Sequence, residues 1–251
     1  MPPNILCLVA HPDDETILCG GTLAWLAAQG ARVHVACLTR GEGGEVGEPP
    51  LTDREHLGEV REQELVCAVR QLGVRSLTFL GYVDPVVGAD SQLFAPAHEP
   101  AMLAGQIVST VEQFEAAVVL SHGSNGEYGH PAHVLAHQMA LAAVAALRTE
   151  TASAPPAFYT FCAAFPDHPY PRLVNPDDPA DLLLDVSTVL DRKEAAALCH
   201  KTQNALFVRR RSQAAGRLLT VREALLTVEG LHRVFGEPGD EFSTLLTGPD
   251  D

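Results

Sequence analysis

A five-residue apolar run, Ile5-Leu6-Cys7-Leu8-Val9, stops at Ala10-His11-Pro12-Asp13-Asp14-Glu15 and gives way to a helix-like segment over residues 16–29. The run is short and bounded, as a buried strand is. A strand feeding straight into a helix commits the chain to an α/β architecture. The hexapeptide then sits at the carboxyl end of the first strand, where open α/β sheets place their ligands. Pro12 suits a first helical position and acids in a first turn complement the helix dipole, so capping alone accounts for this hexapeptide. It does not account for a second such element, Gly129-His130-Pro131-Ala132-His133, far downstream. His11 and Asp14 are close enough on one turn to share a metal ion, and Asp13 between them points elsewhere, free to act as a base. Two such elements at strand-to-helix turns point to a metal site.

The alternation continues down the chain. Residues 32–38, 76–80, 116–120 and 157–162 read as strands, and 54–72, 101–114 and 130–147 as helices; Gly73 is a good C-cap for the first of these. The Gly- and Glu-rich stretch 39–53 lacks a Walker lysine and reads as a mobile rim over the sheet edge. Residues 149–156 are a loop, 165–181 irregular, 182–186 a short strand, and Ser187 caps a helix reaching about Gln203. Thr220-Val221-Arg222-Glu223 is a capping box ahead of a final amphipathic helix, and 248–251 form a disordered end. The expected fold is a single α/β domain over 1–251, a Rossmann-like, mostly parallel sheet with helices on both faces. Its core covers about 4–203, and 204–251 form a C-terminal helical extension and tail. No Gly-x-Gly-x-x-Gly follows the first strand, which argues against a dinucleotide.

A net charge of −15 argues against nucleic acid and anionic membrane as partners, and no run approaches the roughly 18 apolar residues of a membrane helix. Pro2-Pro3-Asn4 leads into the strand without a leader-like segment. The six cysteines (Cys7, Cys19, Cys37, Cys67, Cys162, Cys199) form no Cys-x-x-Cys pair and mostly fall in apolar segments. They read as buried thiols of a reducing compartment, not as disulfides, and the expected location is cytoplasmic. Arg209-Arg210-Arg211 reads as a solvated or ion-pairing patch. A small molecule is the expected partner, and a homo-oligomer is left open.

His-Pro-Asp-Asp-Glu after a first strand, with a later His-Pro-x-His, resembles the LmbE/PIG-L family of zinc-dependent N-acetylglucosaminyl deacetylases. Weaker echoes run from Asn4 to about Gln203. The resemblance implies hydrolysis of an acetamido group on an N-acetylglucosamine-type conjugate, with His11, Asp14 and His133 holding Zn²⁺; two imidazoles and a carboxylate also suit Fe²⁺. It further implies Asp13 as general base, and His130 with Tyr128 stabilising the oxyanion, His130 also protonating the leaving amine. Arg61, in Arg-x-x-Glu-Leu, and Asp84, after the third strand, would grip the sugar. His200, in an echo of a Lys193…His200-x-x-Gln203 pattern, would reach the pocket. His137 reads as a core or supporting histidine, and His122 as a strand-end residue able to line the same pocket. The family's second motif most often reads His-Pro-Asp-His. With Ala132 in place of that aspartate, His130 is expected to lose its proton at lower pH, unless another acid such as Glu127 substitutes. One rival reading is an amidase of this fold acting on a sugar-thiol conjugate. Another is a noncatalytic sugar- or nucleotide-binding module, against which Asp13 counts, because binding needs no spare carboxylate beside the metal.

Overall fold

The computed structural model describes residues 3–150 and 155–247, so the loop expected at 149–156 lies partly outside them and the disordered end expected at 248–251 wholly so. In chain order the elements are β1 (Asn4–Val9), α1 (Asp14–Ile17), α2 (Gly20–Ala28), β2 (Arg32–Thr39), α3 (Leu57–Leu72), β3 (Ser76–Tyr82), α4 (Pro100–Gln113), β4 (Val118–Ser121), α5 (Gly126–Gly129), α6 (Pro131–Glu150), β5 (Ala157–Phe161), β6 (Ala163–Ala164), β7 (Asn175–Pro179), β8 (Leu182–Asp185), α7 (Leu190–Ala197), α8 (Lys201–Ala215), α9 (Val221–Ala224), β9 (Val228–Phe235) and α10 (Glu241–Thr247).

One seven-stranded sheet has the order β3-β2-β1-β4-β5-β9-β8. The first five strands are parallel, and β9 and β8 join antiparallel. Every residue of β1 is buried, which is why it reads as an unbroken apolar run rather than an alternation. Its Ile5, Cys7 and Val9 pack on a core shared with α2, α3 and α10, while Leu6 and Leu8 pack on one shared with α4 and α6. The sheet is thus mostly parallel with helices on both faces, as expected. Strand order reverses between β1 and β4, and the crevice beyond their carboxyl ends is where such a sheet binds ligands.

Several local expectations give way to tertiary contacts. The helix expected over 16–29 is broken into α1 and α2. Helix α2 starts anew because the Glu229 carboxylate, from β9, accepts the N–H of Gly21 (2.9 Å) and both the N–H (2.7 Å) and hydroxyl (2.6 Å) of Thr22. The helix expected to end near Gln203 is likewise two, α7 and α8, broken at Cys199-His200. The capping box at Thr220 forms, but it closes the single turn α9, and the chain then enters β9 between β5 and β8. Residues 204–247 therefore contribute an interior strand as well as helices. The stretch expected to be irregular holds β7, paired with β6.

The cysteine expectation needs correction. Cys67 and Cys199, 132 residues apart, are joined in a disulfide, and the fold brings their Cα atoms to 5.8 Å. Cys7, Cys19, Cys37 and Cys162 are buried thiols. The 39–53 rim is clasped: Gln203 donates to Glu45 O (2.7 Å), Arg209 pairs with Glu48, and Arg54 donates to the carbonyls of Glu42 and Gly44. Of the basic triplet, Arg211 is not solvated but buried, with its guanidinium 3.6 Å over the Tyr170 ring. Among the described residues no helix is long and apolar enough to cross a membrane.

Candidate metal and catalytic site

His11 leaves β1 and His122 leaves β4, so the two strands flanking the crevice each deliver a histidine, and α6 presents His133 from its first turn. The hydrogen bonds assign each ring nitrogen. Ala10 N–H donates to His122 Nε2 (3.0 Å), so the His122 proton is on Nδ1, which donates to Glu127 Oε2 (3.0 Å). His133 Nδ1 donates to that same oxygen at 2.5 Å. Its Nε2 is buried with no hydrogen-bond partner, 3.4 Å from Asp14 Oδ1. The other Asp14 oxygen accepts His11 N–H (2.9 Å) and lies 3.3 Å from His11 Nδ1. His11 Nε2 is 3.2 Å from Asp84 Oδ1 without forming a hydrogen bond.

Two imidazoles thus converge on one buried carboxylate. Buried nitrogen atoms without partners are costly unless something else engages them. The donor set is one a divalent cation takes, with each ring backed by a carboxylate. The electrostatics agree. Burial works against a charged His133, yet Asp14 and Glu127 outweigh it and hold the ring up at about 10; Asp14 and Asp84 do the same for His11, at about 9. The pocket favours positive charge, and its residues fit a metal. Among the described residues, the trios whose donor atoms all lie within 4.8 Å of one another are His11 with His130 and His133, and Asp14 with His122 and His133; His11 and His133 approach different oxygens of Asp14. In the second trio, His122 Nε2 is already taken by the Ala10 amide.

Asp13 sits beside this centre with its carboxyl pushed up to about 6, because burial outweighs the lowering by Arg61. His130 stacks on His133 with ring centroids 4.5 Å apart, and its Nδ1 accepts the Ala132 N–H (3.2 Å), which places its proton on Nε2. Burial and the neighbouring charge of His133 and His11 push it down to about 3. Ala132 itself, in the first turn of α6, is packed into the apolar core. Tyr128 is partly exposed, 5.7 Å from His130 between ring centroids. His137 Nδ1 donates to His122 O (3.0 Å), a supporting role.

The remaining sequence candidates are buried and engaged by other groups of the chain. Arg61 is 2% exposed, and its guanidinium donates to Gly41 O (2.8 Å), Pro12 O and Asp13 Oδ1 (3.3 Å). A Cβ at Gly41 or Gly44 would fall 2.2 Å from it. His200 is 1% exposed and is held by Glu15. Asp84 touches His11 and accepts Gly43 N–H (3.2 Å). Lys193, fully buried, donates to Glu229 (2.6 Å).

The sequence marks neither Glu15 nor Asn175 as a site residue, and Glu127, a possible stand-in acid for His130, instead accepts from His122 and His133. Glu127 stands at φ 60°, held by its N–H donating to Asn175 Oδ1 (3.0 Å). His122 and His133 lie five and six residues away, off any single helix or strand period, and Asn175 lies 48 away, so no simple spacing marks it.

A family model described as PIG-L, GlcNAc-PI de-N-acetylase, matches residues 6–144. A 1D-myo-inositol 2-acetamido-2-deoxy-alpha-D-glucopyranoside deacetylase of Acidothermus cellulolyticus is 33% identical, over 82% of this chain and 81% of its own. The protein so named in Streptomyces avermitilis is 40% identical over 57% and 53%. Among solved structures, N,N'-diacetylchitobiose deacetylase of Pyrococcus horikoshii has a TM-score of 0.65 at 17% identity, covering 92% of this chain and 83% of that one. GalB, a 4-carboxy-2-hydroxymuconate hydratase of Pseudomonas putida, has a TM-score of 0.63 at 24% identity, covering 95% and 98%. The fold therefore serves more than one chemistry, and the site must carry the functional argument. The match across more than half of the chain, with a relative a third identical over four-fifths of it, shows that this protein belongs to the PIG-L family of GlcNAc-PI de-N-acetylases.

Proposed function

We propose that this protein hydrolyses the acetamido group of an N-acetylglucosamine-type conjugate, using a divalent metal, zinc by preference, held by His11, Asp14 and His133. The observation that carries the reading is the buried, partnerless Nε2 of His133 facing Asp14, with Asp13 alongside as a carboxylate the ligand set does not need. When bound, such an ion lowers the pKa of water to about 7 and polarises the amide carbonyl.

The chain's own residues supply the rest. Asp13, held up at about 6, is ionised at neutral pH and poised to take a proton from the attacking water. His130 is neutral with its proton on Nε2, and it donates that N–H to the oxyanion. A neutral imidazole is too weak an acid to protonate the leaving amine, so Asp13 returns the proton it took. Tyr128, exposed and in edge-on ring contact with His130 and His133, offers its hydroxyl beside them. Arg61 and Asp84, both buried, act through Asp13 and His11 respectively rather than as the main grip on the sugar.

The relatives' names suggest an inositol glycoside as substrate. The test is acetate release from a panel of N-acetylglucosaminides, including that glycoside and diacetylchitobiose, with metal analysis of the same preparation. The expected result is release that stops on chelation and returns with zinc. No acetate from any member by the metal-loaded protein would refute the reading.

A further inference from the structure

Asp13 stands at φ 108°, ψ −27°, a left-handed conformation that a residue with a side chain keeps only when its surroundings impose it. Two sets of contacts do so. On one side Arg61 donates to Pro12 O and Asp13 Oδ1. On the other, Glu15 Oε2 accepts the Asp13 N–H at 3.0 Å. The second Glu15 oxygen accepts the Thr16 hydroxyl and lies 2.9 Å from His200 Nε2. Glu15 is fully buried and His200 all but so, so neither group can exchange its partner for water. His200 is fixed in turn. It is the N-cap of α8, where Glu64 accepts the N–H (2.8 Å) and hydroxyl (2.7 Å) of Thr202. Its neighbour Cys199 is bonded to Cys67. Arg61, Glu64 and Cys67 lie on successive turns of α3, so one helix holds both ends of this arrangement.

We propose that Glu15 and His200 are positioning residues, a buried brace that holds Asp13 in the orientation its role as base demands. The proposal rests on Asp13 being the general base, as argued above. His200 bonds to Glu15 rather than to a proposed metal ligand; it fixes Glu15, and Glu15 fixes the Asp13 peptide. The acid after the Asp-Asp pair is thereby a buried strut.

The test compares His200→Ala, His200→Gln and Glu15→Gln with wild type, each also in an Asp13→Asn background. The readings are kcat, KM, metal content and amide hydrogen exchange at Asp13. His200→Ala is expected to lower kcat by about 10–10²-fold, the scale of a small misplacement of a reacting group, with KM and metal content unchanged. His200→Gln keeps a donor for Glu15 and should recover most of the loss. In the Asp13→Asn background His200→Ala should add nothing, because no base is left to position. Exchange at the Asp13 amide should speed up in Glu15→Gln as well, which keeps the test alive if the alanine variant folds poorly. A loss that multiplies in the Asp13→Asn background, or a raised KM with kcat intact, would overturn the proposal. If wild type deacetylates nothing, the proposed function falls; unchanged Asp13 exchange in both brace variants overturns the brace separately.

Discussion

Replacing Glu127 by glutamine is the sharpest way to ask whether the rings around Asp14 are set for a metal. The Glu127 carboxylate accepts four hydrogen bonds: from His122 Nδ1 (3.0 Å) and His133 Nδ1 (2.5 Å) on Oε2, and from Gly123 N–H (3.1 Å) and Asn175 Nδ2 (3.2 Å) on Oε1. All four are donors, and an amide has only one oxygen. If glutamine keeps Gly123 and Asn175, its NH₂ turns toward both imidazoles. His133 Nδ1 must then accept, its proton moves to Nε2, and that nitrogen is closed to a metal. The opposite orientation sets NH₂ against two donors. Supporting partners of this kind are worth about 10–100-fold in metal affinity, or about 1.4–2.7 kcal/mol at 1.36 kcal/mol per decade. We expect the zinc Kd of Glu127→Gln, measured against a competing chelator at neutral pH, to rise by that factor. The melting-temperature gain on adding zinc should shrink with it. A Kd within about twofold of wild type, with only a lower melting temperature, would refute the reasoning and leave Glu127 a packing residue.

Three further outcomes are expected. Asp13→Asn should bind metal normally but lose about 10²–10⁴-fold in kcat, and near-normal turnover would make Asp13 only a backbone feature. Cys67→Ser should cost about 2–5 kcal/mol in denaturant unfolding, since the bond closes a loop of 132 residues; an equal loss in wild type under reductant would confirm the source. Lys193→Met leaves Glu229 buried with its ammonium partner gone, so unfolding should show a loss of about 3–5 kcal/mol, and a neutral result would mean the α2 amides suffice for that carboxylate.

The strands β1 to β5 were legible because each is a short apolar run closed by turn residues, and burial on both faces writes itself into β1 as Ile-Leu-Cys-Leu-Val. The His-Pro elements were legible for a different reason: ligands three residues apart on one turn are a local matter. What escaped was everything decided by distant partners. Nothing near Gly20 announces that Glu229 will start a helix there, and nothing near Cys67 announces Cys199. Arg61 and His200 were pocket candidates only through the family resemblance of their motifs. Only the fold shows that their donors are aimed at Pro12, Asp13 and Glu15.

Strand β9 has a consequence for how the molecule is made. The parallel strands can pair in the order in which they leave the ribosome, but β8 has its sheet partner only in β9, which is translated after α7, α8 and α9. Until then the β5 edge is bare, a template for pairing with another chain, and Lys193 waits for its carboxylate. A nascent chain stalled before residue 228 therefore carries its histidines and aspartates on an open sheet, and chaperones or proteases would meet it as a sticky intermediate. Completion arrives in a single stroke, when one strand fills the gap, caps α2 and neutralises Lys193 together.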